Sequence, residues 1–142
     1  MVIEQLATSF IASAAFGIIF NVPRRNLLQC GFVGMIGWLL YILSMRLSAN
    51  PIVSSLAAAF VVTVLSQLLA KIYKTPIIIF SVSGIIPLVP GGLAYDAMRN
   101  IVENQYDVAV QLAAKAFMIS GAIAIGLIFS EVINQVIRKS RL

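Results

Sequence analysis

The chain has 142 residues, 61% of them from the apolar set AVILMFWYC and 11% charged, with a net charge of +5 and a mean hydropathy of +1.01. A soluble domain is nearer half apolar and a quarter charged, and a chain this short has too little interior to hide the surplus, which argues against a soluble enzyme, a disordered chain or a secreted disulfide scaffold. With no His and a single Cys, His-based acid–base chemistry, Cys/His zinc sites and internal disulfides are excluded, and no metal or cofactor is expected.

In lipid the expected unit is a run of roughly 20 apolar residues. The first covers about 6–22 and stops at Pro23-Arg24-Arg25-Asn26. Only Glu4 and no basic residue precedes it, so it reads as a retained helix and not as a cleaved signal. The second covers 27–45, followed by a break at 46–51, and the third covers 52–70, ended by Lys71 and Lys74. The fourth opens after Thr75-Pro76, where proline suits a first helical turn, and covers about 77–95. A polar stretch over 96–107 leads to the fifth, 108–133, and Arg138-Lys139-Ser140-Arg141 closes the chain. The runs are continuously apolar, without the alternation of barrel strands. The expectation is an all-α integral membrane protein with five transmembrane helices, the fourth broken by Pro and Gly, forming a single transmembrane domain over 1–142 in a lipid bilayer.

Charge orients that topology. Five spans put Arg24, Arg25, Lys71, Lys74, Arg138, Lys139 and Arg141 on one side, and Arg46 and Arg99 on the other with Glu4, Asp96, Glu103 and Asp107. Basic residues concentrate on the cytoplasmic side, so the N-terminus is expected outside and the C-terminus inside. Three short basic clusters with no soluble module to present them do not suit nucleic acid.

The segment Pro87-Leu88-Val89-Pro90-Gly91-Gly92 interrupts the fourth span. Two prolines remove two backbone donors, and irregular backbone at membrane depth must face protein or a watery cavity. Broken helices of this kind form substrate sites in many transporters, with free N–H groups aimed at an anionic group. The bland reading is an exit loop after a short span. Tyr95 and Asp96 follow directly. In the fifth span Asp107, Gln111 and Lys115 recur every four residues, on one helical face. An ammonium within a span is a functional candidate, though its stem can also lift the charge to the headgroups. Pro87, Pro90, Gly91, Gly92, Tyr95, Asp96, Gln111 and Lys115 are therefore the candidate substrate pathway, with a carboxylate as the solute group. Gly31, Gly34 and Gly37 in the second span, and Gly121 in the fifth, are candidate helix-packing positions, because small residues let helices approach closely in lipid.

The stretches Ala15-Phe16-Gly17-Ile18-Ile19-Phe20-Asn21-Val22-Pro23-Arg24-Arg25 and Ile86-Pro87-Leu88-Val89-Pro90-Gly91-Gly92-Leu93-Ala94-Tyr95-Asp96-Ala97-Met98, with Cys30, Gly34 and Gly37 between them, resemble the threonine/serine exporter family. The likeness is to the C-terminal transmembrane half of its long members and to the stand-alone small subunit of split, two-component members. It implies an inner-membrane exporter of small polar metabolites, threonine and serine or short dicarboxylates such as succinate. It also implies a larger membrane subunit as partner. Independently, five spans make half a typical transporter, so a partner chain or identical copies are expected. The competing readings are a non-transporting scaffold for a larger subunit and a homo-oligomeric channel. No nucleophile–base pair suggests an enzyme.

Overall fold

The computed structural model describes residues 1–48 and 50–140. Ala49, in the second polar break, and Arg141, counted with the last basic cluster, lie outside the described residues. The described residues form helices α1 (Val2–Ile19), α2 (Leu27–Ser48), α3 (Pro51–Tyr73), α4 (Ile78–Ile85), α5 (Gly91–Val102) and α6 (Tyr106–Ser140), with short 3₁₀ turns at Arg24–Asn26 and Ile86–Leu88 and no strand. The protein is an all-α membrane protein.

Local chemistry explains the boundaries. Three helices stop by the same device: Asn21, Lys74 and Asn104 take positive φ, and the next residue returns its N–H to the carbonyl five residues back. Those bonds are Val22 to Gly17 (2.9 Å), Thr75 to Ala70 (3.1 Å) and Gln105 to Asn100 (2.8 Å). Each satisfies a carbonyl that a helix end leaves orphaned. At the start of α3 the Asn50 side chain accepts from the Ile52 N–H at 3.0 Å, and Pro51 occupies the first helical position. The fourth span is broken as its sequence suggests. Pro87 sits in a 3₁₀ turn, Pro90 precedes α5, and the axes of Ile78–Leu88 and Gly91–Val102 differ by 50°.

Contacts across the bundle fix its ends. Gln29 donates to Tyr73 Oη at 3.0 Å and Cys30 Sγ to the Ile79 carbonyl at 3.4 Å, so the start of α2, the end of α3 and the start of α4 share one end. Gln67 donates to the Ser130 carbonyl (3.4 Å) and Glu131 Oε2 (3.3 Å), which brings the far part of α6 to that same end. Helix α5 packs on α6. The broken pair α4–α5 therefore carries the chain from one end to the other, and the chain traverses the bundle five times. Arg24, Arg25, Lys71, Lys74, Arg138 and Lys139 gather at one end of the bundle, as the charge pattern requires.

The core is thin. Val33, Val62 and Phe80 are fully buried with Cys30, Ala58 and Ala59, while Ile11, Phe32, Phe117 and Ile128 project outward. That inversion suits lipid as the solvent. Small residues set the helix spacing. A Cβ on Gly31 would meet the Phe10 carbonyl of α1 at 2.9 Å, and one on Gly37 would meet Val62 of α3 at 2.5 Å. A three-residue step falls about 60° short of a full helical turn, so these glycines sweep from α1 round to α3 and α4 instead of forming one stripe for an outside partner. Gly121 faces open space, and Gly126 makes the close approach between α6 and α3, with the Leu56 carbonyl 2.7 Å from where its Cβ would stand.

Candidate functional site

Where α1 and α2 meet the break, a cleft of about 410 Å³ opens, lined by Glu4, Gln5, Thr8, Ser9 and Ala12 of α1, Trp38 of α2 and Pro87. Its polar wall follows from helical spacing: positions 4, 5, 8, 9 and 12 lie on one face of α1. Thr8 returns its hydroxyl to the Glu4 carbonyl at 2.7 Å, while the Gln5 side-chain oxygen accepts from Trp38 Nε1 at 3.3 Å. Trp38 is held by stacking on Tyr41, ring centroids 5.0 Å apart. One wall thus offers a carboxylate, an amide and hydroxyls, and the other an indole and the proline ring. The ion pair among the described residues is Arg99 with Glu103 at 3.0 Å, and among those residues Glu4 has no salt-bridge partner.

Below the cleft, α1 closes on its neighbours. Ser13 lies directly against Gly34, and the Pro87 ring is 3.5 Å from where a Gly34 Cβ would stand. One turn further, a Cβ on Gly17 would meet Leu27 at 3.0 Å and both Cys30 Cβ and Ser83 Oγ at 3.8 Å. The row Gln5, Ser9, Ser13, Gly17 on α1 therefore faces Trp38, Gly34 and Cys30 on α2, and Pro87 and Ser83 on the broken span.

The residues that the sequence marks as a pathway do not converge. Pro87 lines the cleft. Pro90 and Gly91 line a separate, mainly apolar groove between α5 and α6, with Met98, Phe117 and Ser120. Gly92, Tyr95 and Asp96 are exposed on α5, and Gln111 and Lys115 are exposed on α6. Lys115 makes no ion pair with Asp96. Helix α5 opens without a side-chain cap, a Cβ at Gly91 or Gly92 would meet nothing within 4 Å, and the Gly91 N–H bonds back to the Val89 carbonyl at 2.9 Å. Glu131, toward the basic end, accepts from Gln67 and from Gln135 (3.5 Å). What the residue pattern alone left unmarked is the polar face of α1. Its signal was present as Gln5, Ser9, Ser13 and Gly17 at intervals of four, inside a helix otherwise apolar enough to read as a plain span.

A family model described as Threonine/Serine exporter, ThrE matches residues 5–133 of the 142. No solved structure matches the chain.

Proposed function

Because the chain belongs to the threonine/serine exporter family, we propose that it is one subunit of a secondary exporter of small polar metabolites, oriented with its basic end in the cytoplasm of a cell whose inner membrane it spans. The observation that carries this reading is the cleft in which the polar face of α1 meets the interrupted fourth span at Pro87. A buried break needs a protein or water surface beside it, and a transporter supplies one. The second half of the exporter comes from a larger membrane subunit or from further copies of this chain.

The solute we favour is a small amino acid of the threonine or serine type. Glu4 gives the cleft mouth a negative charge that attracts an ammonium and opposes a dianion such as succinate. The test is efflux of preloaded labelled threonine and succinate from cells that carry or lack this chain, with and without the larger subunit. Threonine efflux that needs both chains is expected. Efflux unchanged by deletion of this chain overturns the proposal, leaving the scaffold reading if the larger subunit then disappears from the membrane.

A further inference from the structure

The seam beneath the cleft holds two buried hydroxyls, one without a partner and the other beside a thiol only. Ser13 and Ser83 are each 0% exposed, and neither hydroxyl has a nitrogen or oxygen partner; the weakly polar thiol of Cys30 lies beside Ser83. A helical serine or threonine can return its hydroxyl to the carbonyl four residues back. Ser66 does so to Val62 at 2.7 Å and Thr63 to Ala59 at 2.9 Å, both in α3. Ser13 and Ser83 instead turn theirs into the space between helices, Ser13 toward Gly34 and Ser83 toward Gly17. A buried hydroxyl without a partner bears its desolvation cost uncompensated. Other partnerless serines exist, among them Ser54, Ser55 and Ser130 on α3 and α6, but none of these lines the cleft.

We infer that the solute path of this chain is the seam of α1 against α2 and α4, with the Ser13 and Ser83 hydroxyls as its successive contact points, closed in this structure by Ser13 on Gly34. The inference rests on the exporter reading and gives that activity its route. Three features support it. The row is continuous with the open cleft through Ser9 and Pro87. It continues past the break to Cys30 and Ser83 and so leads toward the end where Arg24, Arg25, Lys71 and Lys74 gather. Opposite Ser13 the wall is Gly34 and a proline ring, so parting α1 there by the width of a small side chain uncovers the hydroxyl without moving a large side chain. Opening pairs those hydroxyls with solute or water, which offsets the loss of packing.

The test uses a charged, membrane-impermeant methanethiosulfonate reagent on cells with each variant at the native locus, so that any partner chain remains in place, with modification read by residue in a mass spectrometer. Ser13→Cys and Ser83→Cys should react about tenfold faster than Ile128→Cys on the outer surface of α6, and excess threonine should slow both. Wild-type Cys30, buried in the same seam, should show the same protection. A second variant guards against misfolding: Ser13→Ala should cut threonine efflux about tenfold, the value of one lost hydrogen bond of about 1.4 kcal/mol, without lowering the unfolding temperature. Thiols at 13 and 83 no more reactive than at 128, in cells that export threonine, overturn the seam and leave the exporter standing. Full export by Ser13→Ala overturns it as well. Protected labelling in cells without threonine efflux keeps the seam as an aqueous path and removes the exporter reading.

Discussion

Ser13 of α1 and Gly34 of α2 occupy a space that admits one side chain between them: a Cβ on Gly34 would stand 2.6 Å from the Cβ of Ser13. Neither atom is the end of a flexible chain, so a second side chain must push the helices apart. Overpacking of this kind costs about 1–3 kcal/mol. Gly34→Ala should lower the unfolding temperature of the purified protein, and Ser13→Gly in the same chain should restore most of it. Failure of the double variant to recover places the strain elsewhere than this pair.

The two glycines of α6 should behave oppositely. Gly126→Ala drives a methyl toward the Leu56 carbonyl, a backbone atom that cannot rotate away, whereas Gly121→Ala meets nothing within 4 Å. Thermal unfolding in detergent should show a clear loss for the first and an unchanged or higher midpoint for the second, since alanine favours a helix over glycine by roughly 1 kcal/mol. Gly121→Leu then reports on assembly. A smaller complex by size-exclusion chromatography, with unfolding unchanged, would mark that open face as a docking surface.

Glu4 should set charge preference. Glu4→Gln keeps the shape of the cleft wall and removes its negative charge. Competition efflux of threonine against succinate should shift severalfold toward succinate, because repulsion of the dianion falls while attraction of the ammonium is lost. An unaltered ratio would place the selective charge outside the cleft.

Lys115 gives a contrasting expectation. It is exposed, stands nine residues beyond Tyr106 and so lies about 14 Å along the helix, within reach of the headgroups at that end for a long stem. It does not line the cleft. Lys115→Met should leave threonine efflux within about twofold of normal, as surface substitutions usually change little. A correctly inserted Lys115→Met chain that has lost efflux would move the site to the exposed side of α6, facing a partner.

The broken span was legible because Pro87 and Pro90 act on their own backbone, so local chemistry decides the outcome. The charged ends were legible for a similar reason: Arg24, Lys71 and Arg138 need no neighbour to prefer water. The cleft was harder to see. Thr8, Ser9 and Ser13 are small and weakly polar, and whether they mark a site or satisfy themselves on their own helix depends on which helix lies opposite. The glycines show the same limit. Spacing says that Gly31, Gly34 and Gly37 can each admit a close neighbour, but only the arrangement of α1, α3 and α4 shows that the neighbours come from the same chain.

Helix α6 runs 35 residues without a proline or a 3₁₀ interruption. That is about 52 Å of continuous rod, longer than the roughly 30 Å of hydrocarbon it crosses. At that length a rigid tilt of about 10° would displace one tip against the other by about 9 Å. The α4–α5 pair beside it is instead bent by 50° at Pro87–Pro90. The bundle thus sets one straight, uninterrupted element beside one with a break in its backbone.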